Sequence, residues 1–479
     1  MNAVQFILDD KIQTINFDNP EYTPTTTVLK YLRSLRQHKG VKEGCSEGDC
    51  GACTVVIAEL AEDKLYYRAV DSCLIFLPML HGKQLITVEN LAGASGELHP
   101  IQKAMVDAYA SQCGYCTPGF VMSLFALYKS RVEATREIIL DAITGNLCRC
   151  TGYQPIIVAA AKAMKVRKND IFDKKEAQTI ALLQQIERSK TIGIITSVQQ
   201  YFKPFTLSDT LKLRSAHPKA EIISGNTDTG LRVTKRHELL PAIIDISDVN
   251  DLKFIKITPE FMSVGSGVSM EILKENSKEI FPALYDILSL FGSKQIRSIA
   301  TLGGNLGSAS PIGDSLPVLI ACNASVVVAN KNGTRRIDLP DFIRSYRTTD
   351  LKADEIICSV EIPIPDPDTI IRSYKISKRR DLDISTCSAG FRLELNKKSH
   401  IIKNIILAYG GMAATTKCAL TAEKFLKGKV WNKTNADKAS DIVFNEFTPL
   451  SDARSGEEFR RLAARNLLLK FYEETASQQ

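Results

Sequence analysis

A chain of 479 residues, 44% hydrophobic and 24% charged, exceeds what one core organises at roughly 100–200 residues per domain, so several domains are expected. Its net charge of +7 comes from scattered Lys and Arg, which excludes a nucleic-acid-binding stripe. No apolar stretch approaches the roughly 20 residues of a membrane span, and no basic segment followed by an apolar one opens the chain, so neither membrane nor secretory routing is expected and the cytoplasm is the compartment read.

In chain order, residues 1–88 read as a small mixed α/β domain. Segments 4–8 and 14–17 suggest a hairpin, and 27–36 an amphipathic helix (Val28, Leu29, Leu32, Leu35). A Gly- and Cys-rich loop follows, then strands at 54–57 and 85–88. Residues 89–165 turn helical, near 100–111, 118–130, 136–143 and 154–165; Pro100, Pro118 and Pro155 suit first turns, and Thr117 and Thr135 suit N-caps. Residues 166–195 are charged and read as an exposed linker. From 196 to 365 strands alternate with helices, with Gly-rich turns at 224–230, 264–267 and 303–307. The last segment, 366–479, begins with strands at 371–376, 388–395 and 401–408 and ends in a helix near 456–474.

Twelve cysteines in a cytoplasmic chain need an explanation other than disulfides. Cys322, Cys358, Cys387 and Cys418 are spread singly among apolar residues and read as small buried hydrophobes. The six histidines are isolated and read as packing or surface residues. The other eight cysteines precede residue 151. Cys45, Cys50 and Cys53 are spaced C-x4-C-x2-C, and Cys73 follows after 19 residues. This is the plant-type [2Fe–2S] spacing. Three thiolates on one loop must turn inward together, and Gly44, Gly48 and Gly51 permit the tight curl. Structural zinc usually pairs two C-x2-C knuckles, so a three-cysteine loop fits it poorly.

The second set is Cys113 and Cys116 in QCGYCTPG and Cys148 and Cys150 in GNLCRCTG, each pair falling between two helices. Facing helical hairpins would join the pairs. A C-x-x-C is also compatible with a redox disulfide, and four thiolates with structural zinc; the accompanying C-x-C favours a metal centre.

Two further segments are weaker signals. Ile222, Ile223, Ser224, Gly225, Asn226, Thr227, Asp228 and Thr229 follow a strand, and as a turn their N–H groups and hydroxyls would suit a pyrophosphate. SIATLGGNLGSASPIGD, 298–314, brings backbone close to a ligand, with Asp314 available for hydroxyls. For either segment alone, a pair of tight turns is the preferred reading. No G-x-G-x-x-G follows a strand.

C-x2-C…C-R-C-T-G placed directly after a plant-type cluster domain resembles the molybdenum hydroxylase family, which includes xanthine dehydrogenase and aldehyde oxidase. The resemblance runs from about residue 3 to 475 and is strongest in the cysteine motifs. It implies a multidomain α+β fold: a plant-ferredoxin-like β-grasp domain, a four-helix [2Fe–2S] domain, a two-part α+β FAD-binding domain and a C-terminal α+β flavoprotein domain. Both cysteine sets would hold [2Fe–2S] clusters. FAD would contact Ile222–Thr229, Phe291, Thr301, Asp314, Ile357 and Lys375. Gln112 matches a position that approaches the pterin of the molybdenum cofactor on the partner. The basic group Lys375, Lys378, Arg379 and Arg380 falls on the flavin-side loop, where a positive field would favour reduced flavin or attract NAD+; Leu382 stands where some relatives are acidic. The chain ends where the family's molybdenum-binding half would begin. The resemblance therefore implies an electron-transfer subunit beside a molybdopterin-binding large subunit, in a dimer of heterodimers. Hypoxanthine or xanthine would be oxidised to urate on that partner, with electrons passing through the Cys113 set, the Cys45 set and FAD to NAD+. No catalytic acid or base is assigned to this chain. An aldehyde or aromatic substrate is the alternative, and a zinc-stabilised scaffold protein the alternative from another class.

Overall fold

The computed structural model describes residues 2–19, 21–93 and 96–476. The chain divides into two compact units, Met1–Val249 with Ser293–Ala300, and Asn250–Gly292 with Thr301–Gln479.

The first unit opens on strands β1 (Ala3–Leu8) and β2 (Lys11–Asn16), paired antiparallel with Leu8 opposite Lys11. Asp9 and Asp10 make the two-residue turn at φ 53° and 59°, the left-handed pair that matches strand twist. β3 (Thr54–Ala61), β4 (Lys64–Asp71) and β5 (Gln84–Ile86) complete a sheet of order β2-β1-β5-β3-β4, with β1 and β5 parallel, a β-grasp. The helix Val28–Ser34, capped by Thr27 Oγ1 accepting from Lys30 N at 3.2 Å, buries Val28, Leu29, Tyr31 and Leu32 against Val4, Phe6 and Leu8. β3 is buried on both faces, because Val56 and Ala58 pack on the helical layer beyond.

That layer holds helices Pro100–Asp107, Thr117–Ser130, Arg136–Ala142 and Gln154–Lys165 around Phe120, Phe125 and Tyr128. Thr135 caps its helix as expected, but Cys116, not Thr117, is the residue before the second helix. The stretch expected as an exposed linker instead forms the helix Ile171–Gln184, which buries Phe172, Thr179 and Leu183. Lys174 and Lys175 on it are exposed, but its cap is internal: Asp170 receives Lys129 Nζ at 3.0 Å and His99 Nε2 at 3.2 Å.

A second sheet in this unit comprises β6 (Ile192–Ile195), β7 (Gln200–Lys203), β8 (Glu221–Ile223) and β9 (Ala242–Asp245), in the order β6-β7-β9-β8. Buried ion pairs join it to the first sheet. Lys203 Nζ lies 2.7 Å from Asp245 and 2.8 Å from Asp248, while Lys83 Nζ lies 3.1 Å from Asp248 and 3.3 Å from Glu59.

His81, beside this network, accepts Gln5 N–H at Nδ1 (3.2 Å) and lies at Nε2 2.9 Å from the Glu187 carbonyl. Only a neutral ring with its proton on Nε2 satisfies both. Burial lowers its pKa from 6.5 to about 4. The unfolded chain therefore binds the extra proton first. The stabilisation is complete above the usual histidine range and is lost as pH falls towards 4, by about 3 kcal/mol at most. Urea unfolding between pH 7 and 4 is expected to show this slope, and His81→Asn to flatten it.

The second unit contains β10 (Ile255–Ile257), β11 (Phe261–Gly265), β12 (Ser325–Asn330), β13 (Gly333–Asp338), a short hairpin of β14 (Ile343–Ser345) and β15 (Thr348–Thr349), and β16 (Ile356–Pro363). The larger sheet runs β10-β11-β16-β12-β13, all antiparallel. Residues 303–307, expected as a turn, lie inside the helix Leu302–Ser308. Thr301 caps it, accepting from Gly304 N at 3.1 Å, and a Cβ on Gly303 would come within 2.5 Å of Ser266 Cβ. The glycines here serve close packing of a helix. A final sheet, β17 (Ile370–Ile376), β18 (Cys387–Leu395), β19 (Ile402–Gly410) and β20 (Lys417–Cys418), packs Phe391 and Tyr409 on Trp431 and Phe471, with helices Lys433–Glu446 and Glu457–Ala476. Among the described residues, no helix is long and apolar enough to cross a membrane.

Candidate functional site

The loop between the Val28–Ser34 helix and β3 curls around sulfur. Three backbone N–H groups, of Glu47, Asp49 and Cys50, donate to Cys45 Sγ at 3.4, 3.4 and 3.3 Å, and Cys45 N donates to Cys50 Sγ at 3.3 Å. Gly48 and Gly51 take φ +84° and +66°, and a Cβ on Gly44 would sit 2.7 Å from Cys50 Sγ. The glycine reading of the sequence therefore has a steric basis at each position. The Cys50 thiol and then these N–H groups pull Cys45 down to about 5.

Cys53, at the start of β3, meets Cys73, beyond the end of β4, with sulfurs 3.4 Å apart and both buried. Cys53 is held well above the usual thiol range by its hydrogen bond to Cys73 and by burial. Asp71 lies beside them, fully buried, with its carboxyl pushed up by desolvation and by the charge at Cys45.

In the second set, Cys116 precedes the helix Thr117–Ser130, and Cys148 and Cys150 precede Gln154–Lys165, so two helix N-termini follow the cysteines and favour negative charge there. Cys116 contacts Cys148, and Cys113 contacts Cys150. Burial raises Cys116 to about 12. Cys148, although partly desolvated, is lowered by the Thr151 hydroxyl, 3.2 Å from its sulfur. Its N–H donates to the Tyr153 hydroxyl at 3.0 Å. Cys113, Cys150 and the preceding Gln112 are exposed. All eight thiols thus meet two by two. Among the described residues, no three His, Cys, Asp or Glu side chains gather as they would around a single metal ion.

The flavin candidates divide between the units. In the first, Ile222 and Ile223 end β8, and Ser224–Asp228 form the loop before the helix Thr229–Thr234. A Cβ on Gly225 would come within 1.9 Å of the Ile299 carbonyl, so only glycine fits. Asn226, at φ 59° and buried, donates Nδ2 to Leu74 O at 2.8 Å, while its Oδ1 has no partner among the described residues. An orphaned buried acceptor in a turn of this kind suits a ligand donor.

In the second unit, Ile357 is on β16, Phe291 is half-buried and Thr301 caps its helix. Asp314 and Lys375 are not free: Lys375 Nζ donates to Asp314 Oδ2 at 2.7 Å and to Leu290 O at 2.9 Å, and Ser385 Oγ donates to Asp314 Oδ1. Arg379 pairs with Asp383, at 2.7 Å from Nε. Two of the four basic residues read from sequence are therefore paired with carboxylates, Lys375 with Asp314 and Arg379 with Asp383, while Lys378 Nζ donates to Ala453 O at 3.2 Å. Sequence reasoning also missed Lys235, whose ammonium donates to Cys45 O at 3.0 Å, and Asp71. Neither carries a motif. Of the four single cysteines, Cys322 and Cys387 are buried as expected, whereas Cys358 and Cys418 are half-buried.

Four family models match in succession: a 2Fe-2S iron-sulfur cluster binding domain (residues 8–77), a [2Fe-2S] binding domain (87–161), the FAD binding domain in molybdopterin dehydrogenase (196–365) and the CO dehydrogenase flavoprotein C-terminal domain (372–475). The chain is 30% identical over 510 residues to xanthine dehydrogenase of Drosophila pseudoobscura pseudoobscura and 31% over 527 residues to that of Oryza sativa subsp. japonica. Each alignment covers 95% of this chain and 38% of the relative. Identity to human aldehyde oxidase is 29%, at the same coverage. The chain thus spans about 38% of the length of these curated relatives. Among solved structures, quinoline 2-oxidoreductase from Pseudomonas putida 86 superposes with TM-score 0.54 at 23% identity, covering 59% of this chain and 98% of that one. Cu,Mo-CO dehydrogenase superposes with 0.53 at 21%, covering 58% and 96%. These two likenesses are of fold.

Proposed function

The chain belongs to the molybdenum hydroxylase family, and from that premise we propose that it is the iron–sulfur and FAD subunit of a xanthine dehydrogenase. In this reading residues 1–88 and 89–165 each hold one [2Fe–2S] cluster, 166–195 connects, 196–365 binds FAD and 366–479 completes the flavoprotein part. The observation that carries it is the two-by-two meeting of all eight cysteines. A binuclear centre asks for one thiolate pair on each iron, whereas a single tetrahedral zinc draws four sulfurs to one point.

When bound, the clusters supply one-electron and the flavin two-electron redox chemistry. The residues position and tune it. The N–H groups of Glu47, Asp49 and Cys50 stabilise sulfur charge at Cys45; Asn226 offers a free buried acceptor to FAD, with Ser224, Thr227 and Thr229 on the same turn; Lys375 and Asp314 hold each other in place. A molybdopterin-binding partner would oxidise hypoxanthine or xanthine, Gln112 would approach its pterin, and NAD+ would take the electrons in the cytoplasm. The near-equal identity to human aldehyde oxidase favours one second reading, the same subunit serving an aldehyde-oxidising partner.

The test is purification with associated chains, then metal, flavin and pterin analysis and turnover with xanthine. About four irons per FAD are expected, two in each cluster. Zinc without acid-labile sulfide would sink the cluster reading. Aldehyde turnover without xanthine turnover would replace the substrate, and a clear preference for O2 over NAD+ would replace the acceptor.

A further inference from the structure

The two cysteine sets, 40 positions apart in sequence at their nearest members, Cys73 and Cys113, are tied together through backbone and one buried amide. Leu147 N, the residue before Cys148, donates to the Cys50 carbonyl at 3.0 Å. One residue earlier, Asn146 is 2% exposed and donates Nδ2 to Gly51 O at 3.1 Å and to Thr54 Oγ1 at 3.2 Å. Its Oδ1 accepts from Ser123 Oγ at 2.6 Å and from Gln295 Nε2 at 2.9 Å. Gln295, also fully buried, donates to Ser123 Oγ at 2.8 Å as well. The approach leaves no room for a side chain: a Cβ on Gly119 would lie 2.1 Å from Gly51 O, and one on Gly51 would lie 2.1 Å from Gly145 O. A buried amide with both ends engaged is expensive to arrange, because an unmet group costs its full desolvation. For holding two helices against a sheet, apolar packing would suffice.

We propose that Asn146 is a positioning residue for electron exchange between the two cysteine centres. It clamps the Gly51 carbonyl so that a single hydrogen bond, Leu147 N–H to Cys50 C=O, joins a ligand residue of the first set to the neighbour of a ligand in the second. One electron leaves the site of Cys113, Cys116, Cys148 and Cys150 and one arrives at the site of Cys45, Cys50, Cys53 and Cys73. No bond breaks and no proton moves. Ser123 and Gln295 orient the clamp, and the glycines let it close. The assignment rests on the cluster reading above.

The experiment uses the full chain, reduced with dithionite and followed by low-temperature EPR beside iron and flavin analysis. The wild type is expected to show two reduced-cluster signals with mutual spin–spin splitting. Asn146→Ala, which removes the clamp, and Gly119→Ala, which wedges the loops apart, are expected to keep both signals and the iron content while the splitting shrinks. Cluster-to-cluster exchange is expected to slow by about tenfold or more, the scale on which ångström-level misplacement acts. Ser123→Ala, the mildest change, shifts the splitting in the same direction and serves if the others do not fold; Ser123→Thr, which keeps the hydroxyl, restores it. Unchanged splitting in folded variants with full iron overturns the proposal alone. A wild type lacking two reduced-cluster signals overturns the cluster reading with it.

Discussion

Replacing Cys53 by serine is expected to lower iron from about four to about two per flavin and to erase one of the two reduced-cluster EPR signals, leaving FAD content unchanged. Cys53 and Cys73 are 2% and 1% exposed with sulfurs 3.4 Å apart, so nothing else among the described residues offers sulfur at that position. A serine oxygen is a hard, weakly acidic donor where iron in such a centre takes soft thiolate. The other set stays whole, because its sulfurs sit at the two helix N-termini. Cys322→Ser is the matched control: that thiol is equally buried and pushed up to about 12 by desolvation, with Arg392 opposing, so its loss is expected to touch stability and leave iron at about four. Iron and sulfide analysis with EPR on both variants decides. Four irons retained in Cys53→Ser would remove Cys53 from the ligand set.

The second large effect is expected from Lys203→Met. Lys203 is fully buried, with Asp245 at 2.7 Å and Asp248 at 2.8 Å; Tyr201 Oη donates to Asp245 at 2.8 Å. Removing the ammonium leaves two buried carboxylates with too little positive charge, at a cost of about 3–5 kcal/mol. Lys83 shares Asp248, so part of the loss is offset there, and the deficit concentrates on Asp245. The double change Lys203→Met, Asp245→Asn removes one charge of each sign and is expected to recover much of the stability. Urea unfolding of the three proteins measures it. A single variant within about 1 kcal/mol of wild type would mean the pair contributes no more than a surface bridge.

The two predictions differ in how visible their residues are in the chain. Cys53 stands in a motif. Lys203, Asp245 and Asp248 are unremarkable letters around a strand pair, and nothing in their spacing marks them as partners of Lys83 and Glu59. The same contrast runs through the fold. The first hairpin, the Thr135 cap and the helix of the first domain were readable because their signals are local: two apolar runs close in the chain, a threonine just before a helix, and an apolar period at Val28, Leu29, Leu32 and Leu35. The helix Ile171–Gln184 was not, since its polar composition looks solvated until His99 and Lys129 arrive from elsewhere to meet Asp170. The helix Leu302–Ser308 was hidden for the opposite reason. Its glycines mimic a turn, and only the approach of Ser266 explains them.

By itself the sequence determined the eight cysteines, their division into two sets and the glycines of the first loop, because a loop that wraps sulfur must solve its geometry within a few residues. Only the tertiary structure decided how the sulfurs pair, that Lys375 is spent on Asp314, and that Asn146 joins the two sets through Gly51. Apart from Cys45 with Cys50, which share one loop, those contacts bridge residues from 20 to 95 positions apart, where hydrogen-bond partners are chosen by packing and burial and leave no periodic trace in the chain.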